Sequence, residues 1–185
     1  MQRYHFCEID LAAIRHNVGV MKSHIAGGAR FLAVVKADAY GHGAVPVAKA
    51  ALEAGADMLA VAIPEEGIEL REAGIAAPIL VLGGIEESAA EAVVQHDLTQ
   101  VVFDERRIRA LAQAGQKLGR CAKVHLKLDT GMNRIGVHYT QVLDFVRGID
   151  FHRGIQCDGV FTHFATADEP SGWDYKLQCQ RFTEA

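Results

Sequence analysis

Short apolar segments alternate with longer amphipathic segments along this chain, which is the pattern of strands and helices in an α/β protein. The apolar segments are almost continuously hydrophobic, as expected for strands that are buried on both faces. The first amphipathic segment follows Asp10, a favourable N-cap residue, and places Val18 and Met21 on one apolar stripe. The pattern predicts strands at 30–37, 58–63, 78–83, 99–103, 122–129 and 155–164, and helices at 11–25, 45–55, 64–74, 86–96 and 104–119.

Strands joined by helices of this length indicate a parallel sheet, for which two architectures compete. A doubly wound sheet binds nucleotides through a Gly-rich turn, but no GxGxxG motif follows any predicted strand. A (β/α)8 TIM barrel carries its reactive residues at the carboxyl ends of several strands, where Lys36, Lys127 and His163 lie. The sequence therefore predicts an incomplete barrel of this type with about six βα units, since a whole barrel takes about 250 residues.

The composition is that of a globular protein, with 185 residues of which 50% are hydrophobic and 23% charged. The net charge of -4 and the lack of a dense Lys/Arg block argue against a nucleic-acid or membrane-surface partner, so the expected ligand is a small molecule. The first residues contain no signal peptide or spanning segment, which predicts a cytoplasmic protein. Four cysteines and nine histidines lack metal-ligand spacing, so no metal is expected.

The stretch AVVKADAYGHGA, residues 33–44, carries a lysine out of an apolar segment into small and polar positions. A desolvated lysine amine is favoured in its neutral form, and a neutral amine attacks carbonyl carbons. Glycines that alternate with Tyr40 and His42 allow close backbone approach and add a phenol donor. Lys36 and Tyr40 are therefore candidates for binding a phosphate-bearing aldehyde. The alternative is a Lys36 whose stem lies along the strand end with its amine in water.

Three segments, in this order, resemble the alanine racemase family of fold-type III pyridoxal-phosphate enzymes. They are AVVKADAYGHGA at 33–44, HLKLDTGMNRIG at 125–136 and FTHFATAD at 161–168. The resemblance covers essentially all of residues 1–185 and implies that they form the N-terminal part of the cofactor-binding barrel domain. It also implies that the family's C-terminal β domain lies outside this chain. The helical pattern that runs to Ala185 without a stop signal agrees with this expectation.

The resemblance implies that Lys36 binds pyridoxal 5'-phosphate covalently and serves as one of two catalytic bases. Tyr40 would donate a hydrogen bond to the cofactor phosphate, and His163 would pack against the pyridine ring. Arg134 would donate to the phenolic oxygen of the cofactor and help to bind the substrate carboxylate. Without the motifs, Tyr40 is as well explained by an aromatic ring that fills the barrel mouth, and His163 by a hydrogen-bonded core histidine.

Lys127 and Arg134 raise a question of charge, because two cations share one pocket only at an electrostatic cost. In the family the lysine at this position is often carbamylated, so the resemblance implies N6-carboxylysine at Lys127, an anion that orients the arginine. The alternative is an unmodified Lys127 paired with Asp129, since a carbamate is a labile modification. The sequence leaves both states open.

The activity that the resemblance implies is the interconversion of L-alanine and D-alanine, which supplies D-alanine for cell-wall peptidoglycan. The second base would be a tyrosine from the C-terminal domain of the partner subunit in a homodimer. A chain that ends at Ala185 is therefore expected to be inactive alone. The alternatives are a related racemase that acts on other amino acids, a non-catalytic single barrel that binds the cofactor, and a structural module without a ligand.

Overall fold

The computed structural model describes residues 6–149 and 154–185. The chain forms two compact units, Met1–Leu82 and Gly83–Ala185. Each unit contains parallel strands that are connected through helices, as the alternation of apolar and amphipathic segments predicts.

The first unit is built on three parallel strands. Val34 on the first strand aligns with Ala60 on the second, and Ala60 aligns with Leu80 on the third. Leu59 and Ile79 are completely buried, which is why these strands are hydrophobic at nearly every position. The strands are β1 (Leu32–Val34), β2 (Met58–Val61) and β3 (Ile79–Val81), and the helical segments are α1 (Leu11–Ser23), α2 (Lys36–Gly41), α3 (Ala44–Glu53) and α4 (Pro64–Glu72).

Helix α1 begins where the sequence predicts. The carboxylate of Asp10 accepts hydrogen bonds from the amides of Ala12 and Ala13 at 2.8 and 3.1 Å, so it satisfies two amides that the first turn leaves free. The predicted apolar stripe is correct at Val18, which is buried against the small side chains of α3. It is wrong at Met21, which is 58% exposed, because Val18 is the residue that α1 buries.

The second unit is built around β5, which pairs in parallel with β4 on one side and with β7 on the other. The short strand β6 adds to the carboxyl end of β5, where Leu128 aligns with Val137. The elements, in chain order, are a 3-10 turn (Glu87–Ala89), α5 (Ala90–Gln95), β4 (Thr99–Val102), α6 (Glu105–Leu118), β5 (Ala122–Asp129), β6 (Val137–His138), a 3-10 turn (Tyr139–Gln141), α7 (Val142–Gly148), β7 (Ile155–Phe161) and α8 (Trp173–Glu184).

All six predicted strands are present, and β5 has the predicted bounds. The prediction at 30–37 is wrong at its carboxyl end, because β1 ends at Val34 and the chain turns at Lys36. The sequence did not predict β6 or α7, since both are too short to show a clear hydrophobic period.

The described residues contain neither a membrane-spanning helix nor a metal-binding cluster. None of their helices combines the length and the apolar character needed to cross a membrane. Across 6–149 and 154–185, His, Cys, Asp and Glu side chains form no group of three that is arranged to hold a metal ion.

Candidate active site

Lys36 is the first residue of α2, two positions beyond the end of β1, and its side chain is partly buried. The four residues that follow it, 37–40, have φ angles between 50° and 55°, so this turn is left-handed. A left-handed turn costs roughly 1–2 kcal/mol for each residue with a side chain. Backbone strain of this kind persists only where the surroundings fix it, and it is concentrated at functional sites.

Hydrogen bonds on both sides of Lys36 hold the left-handed turn. The amide of Val35 donates to the carbonyl of Ala60 on β2 at 2.8 Å, and the Val35 carbonyl accepts from Ala39 at 3.0 Å. Asp38 accepts from the amide of Ala44 at 2.6 Å through its carboxylate, which ties the turn to the start of α3. The backbone that carries the Lys36 amine is therefore fixed.

Tyr40 is the last of the four left-handed residues 37–40, and it is 62% exposed. Tyr40 is therefore not part of the core of the first unit, and the alternative of an aromatic that fills the barrel mouth stays a prediction. The phenol is available to a ligand, and it shares one turn with Lys36. The first unit therefore brings a partly buried lysine and an exposed tyrosine close together along the chain.

Lys127 lies in the second unit on β5 and is only 3% exposed. Its Nζ donates to the carbonyl of Leu128 at 2.9 Å and lies 5.4 Å from the centre of the Phe161 ring. Burial lowers the pKa of Lys127, the charge of Arg134 lowers this pKa further, and the Asp129 carboxylate opposes both effects. The Lys127 amine therefore loses its proton more readily than the amine of an ordinary lysine.

Asp129 acts on Lys127 through its charge rather than through a hydrogen bond, so the alternative of an unmodified Lys127 paired with Asp129 stays a prediction. The Oδ1 atom of Asp129 instead accepts hydrogen bonds from the amides of Gly131 and Asn133, each at 3.0 Å. Asp129 therefore organises the loop that carries Arg134, whose side chain is exposed.

The loop that carries Arg134 closes at Gly136, and only glycine fits there. A side chain at this position would place its Cβ 2.7 Å from the Asp129 amide nitrogen and 2.8 Å from the Leu128 carbonyl carbon, and the φ angle is 132°. The loop is therefore folded tightly against the end of β5.

A buried polar network connects the loops that follow β5 and β7. Gln178 on α8, which is 2% exposed, donates to Thr130 Oγ1 at 3.1 Å and to the His163 carbonyl at 3.0 Å. The Gln178 Oε1 atom accepts from the Ala165 amide at 2.9 Å, and Thr130 Oγ1 lies 2.8 Å from Thr162 Oγ1. The second unit thus links the segment of His163 to the segment of Arg134, although the His163 side chain itself is exposed.

Sequence reasoning missed Gln178 and Thr130. The segment 173–185 reads as an ordinary polar helix, and nothing in its pattern marks one glutamine as buried. Thr130 lies inside the motif at 125–136, which was its only signal.

The donor groups have the chemistry that a phosphorylated pyridine aldehyde requires. The Lys36 amine is suited to condense with an aldehyde, and a phenol hydroxyl such as that of Tyr40 donates to phosphate oxygens. The guanidinium of Arg134 is a permanent donor for an anionic oxygen. The residues in each unit therefore fit pyridoxal phosphate.

Comparison with known proteins shows what this chain is similar to. Residues 9–185 match the family described as "Alanine racemase, N-terminal domain". The chain is 49% identical to the alanine racemase of Symbiobacterium thermophilum over 97% of its length, and 45% identical to alanine racemase 1 of Bacillus subtilis over the same share. These alignments cover 48% and 46% of the two relatives, so the chain spans about half the length of the curated relatives it matches.

Solved structures agree with the sequence match. The alanine racemase of Clostridium difficile 630 superposes with a TM-score of 0.93 at 36% identity, covering 100% of this chain and 49% of that one. The alanine racemase of Bacillus anthracis, solved with bound L-Ala-P, gives a TM-score of 0.91 at 38% identity, with 100% and 48% covered.

The fold places this chain in the class of α/β proteins of the TIM-barrel type, here incomplete, as the sequence predicts. Within that class, the chain belongs to the alanine racemase family.

Proposed function

We propose that this chain is the N-terminal part of the pyridoxal-phosphate-binding barrel domain of an alanine racemase, and that a C-terminal β domain completes the full-length protein. The observation that carries the proposal is Lys36, held at the start of a strained left-handed turn within a chain that matches the family from residue 9 to residue 185. A fixed amine at the end of a strand suits covalent binding of an aldehyde cofactor.

Each of the four proposed ligand-binding residues has its own role. Bound pyridoxal phosphate would supply the electron sink that makes the α proton of an amino acid acidic. Lys36 would hold the cofactor and then accept or return that proton on one face of the substrate. Tyr40 would donate to the cofactor phosphate, and Arg134 to its phenolic oxygen and the substrate carboxylate. His163 would pack against the pyridine ring, with its backbone held by Gln178.

Lys127 is proposed to carry a carbamate. Burial favours its neutral amine, whose nitrogen can attack the carbon of carbon dioxide while one N–H proton leaves to solvent. The product is an anion, and it would attract the guanidinium of Arg134, whose charge already acts on this position. Intact mass measured in bicarbonate buffer, with Lys127→Met as the control, tests this modification. If the wild-type protein has the mass of the unmodified chain, without the increment of one carbon dioxide, the proposed carbamate is contradicted.

The assignment of the whole protein is also proposed. The full-length protein would be a cytoplasmic homodimer that takes alanine as its substrate and supplies D-alanine for peptidoglycan. The second catalytic base would come from the C-terminal domain of the partner subunit. Racemisation requires a base on each face of the substrate, and Lys36 serves only one of them.

A racemisation assay tests the proposed function. Full-length protein with pyridoxal phosphate is expected to convert L-alanine to D-alanine, whereas a chain ending at Ala185 is expected to give none above background. A panel that includes serine and lysine measures the selectivity for alanine. Faster turnover of another amino acid would replace alanine as the substrate, and turnover by the chain that ends at Ala185 would contradict the proposed second base.

A further inference from the structure

The carboxylate of Glu66 joins the ends of two neighbouring strands. Its Oε1 atom accepts a hydrogen bond from the amide of Ala37 at 2.7 Å, immediately after Lys36. Its Oε2 atom accepts from the amides of Ala62 and Ile63, at 2.6 and 3.3 Å, immediately after β2. Both oxygens are therefore used, one on each strand end. Hydrogen bonds of this kind to a carboxylate are roughly twice as strong as those between neutral groups.

The left-handed turn explains why the carboxylate is needed. In a continuing parallel ladder, the Ala62 amide would donate to the carbonyl of Val35, and the next bond would be formed by the Ala37 amide. The turn removes this option, because the Val35 carbonyl already accepts from Ala39 at 3.0 Å. Two amides at the strand ends are thus left without a backbone acceptor, that of Ala62 at a partly buried position and that of Ala37 at an exposed one. Glu66 satisfies both.

We infer that Glu66 is a positioning residue for Lys36, an assignment that rests on the proposed role of Lys36 in binding the cofactor. The peptide before Lys36 is fixed through the Val35 carbonyl, which accepts from the Ala39 amide, and the peptide after it is fixed by Glu66. Of the two peptides that flank Lys36, removal of the Glu66 carboxylate frees only the one that follows it. The amine then samples more positions, which lowers the fraction that is placed to react with an aldehyde.

The test measures covalent attachment of pyridoxal phosphate to the full-length protein. The visible absorbance of the lysine adduct is followed during titration of the cofactor-free form, for the wild type, Glu66→Gln and Glu66→Ala. Glu66→Ala is expected to weaken attachment at least about tenfold. Glu66→Gln is expected to attach the cofactor more weakly than the wild type and more strongly than Glu66→Ala, because an amide oxygen replaces only one of the two carboxylate acceptors.

The matched control is Glu65→Gln. Glu65 is exposed in the same first turn of α4, so this change removes the same charge without touching the strand ends. It is expected to leave attachment within about twofold of the wild type. Amide hydrogen exchange adds a readout that does not need the cofactor: the Ala37 amide should exchange faster in folded Glu66→Gln than in Glu65→Gln.

The outcomes separate the two levels of the proposal. If the wild type forms no adduct, the proposed function fails, and the role of Glu66 fails with it. If the wild type forms the adduct and folded Glu66→Gln matches it in affinity, rate and Ala37 exchange, only the positioning role is overturned. A lower melting temperature with unchanged attachment would likewise mean a structural role alone. If Glu66→Ala does not fold, Glu66→Gln decides the question.

Discussion

The segments that carry the proposed site residues are held in two opposite ways. The left-handed turn at Lys36 is fixed by strained backbone and by carboxylates near the surface, those of Asp38 and Glu66. The loops after β5 and β7 are fixed by side chains buried in the unit, with Thr130 0% and Gln178 2% exposed. Changes in the turn should therefore act locally on Lys36, whereas changes in the network should lower the stability of the whole second unit.

The largest effect is expected from Gly136→Ala in the loop that carries Arg134. The new Cβ would lie within 2.8 Å of backbone atoms at a φ of 132°, so strain and overpacking add. We expect the free energy of unfolding to fall by about 3 kcal/mol or more, as measured by urea unfolding. Gly19→Ala, in open space on helix α1, is the control and should raise it by about 0.5–1 kcal/mol. Equal effects of the two changes would contradict the account of this loop.

Gln178→Leu comes next and tests the buried network. It removes one of the two partners of Thr130 Oγ1, which keeps Thr162, and it removes the Gln178 partner of the partly buried His163 carbonyl and Ala165 amide. A loss of about 2–3 kcal/mol in the free energy of unfolding is expected. Gln180→Leu is the matched control on the same helix, since Gln180 is exposed, and it should cost less than about 0.5 kcal/mol. A loss no larger than the control's would show that the network does not stabilise the unit.

The difference in the free energy of unfolding between Lys127→Met and the wild type is expected to depend on pH. Burial lowers the pKa of Lys127 in the folded protein, so between the folded and the ordinary lysine pKa the unfolded chain binds more protons. Wild-type stability therefore rises with pH across that window. Below the window Lys127 is charged in the folded protein, and its burial lowers the free energy of unfolding by the largest amount. The variant, which lacks this cost, should be more stable near neutral pH, with an advantage that shrinks as the pH rises. Urea unfolding in buffers free of carbon dioxide measures this trend, and an advantage that grows with pH would refute it.

The smallest effect is expected from Ala37→Gly in the left-handed turn, and its sign is informative. Glycine adopts a left-handed conformation without steric cost, so this change should raise the free energy of unfolding by about 0.5–1 kcal/mol. The same change in a right-handed helix, Ala13→Gly on α1, should lower it by about 1 kcal/mol. Thermal unfolding of both variants checks the prediction. Destabilisation by Ala37→Gly would mean that the turn is not strained in solution.

Hydrophobic pattern was sufficient to predict most of this fold. Apolar runs identified β2, β3 and β4, because parallel strands that are buried on both faces need apolar residues at most positions. The strand β7 was also predicted, although most of its residues are exposed. The cap at Asp10 was also predictable, because capping depends only on local sequence. The left-handed turn was not predictable, since residues 37–40 contain no glycine and each favours a right-handed conformation on its own.

The candidate site was only partly accessible from the sequence. The motifs identified Lys36, Tyr40, Lys127, Arg134 and His163, whose roles remain proposals. The residues that hold them were missed, because Glu66 and Gln178 act through contacts with residues that are distant in sequence. A helical glutamate and a helical glutamine look like surface residues until the structure shows which amides and carbonyls they meet.

The most direct test of this account identifies the lysine that binds pyridoxal phosphate. Full-length protein is incubated with the cofactor, reduced with borohydride and digested, and the modified peptide is identified by mass spectrometry. The account predicts that the cofactor is attached to Lys36 and that attachment is lost in folded Lys36→Ala. Attachment to a different lysine, or none at all to folded wild-type protein, would contradict it.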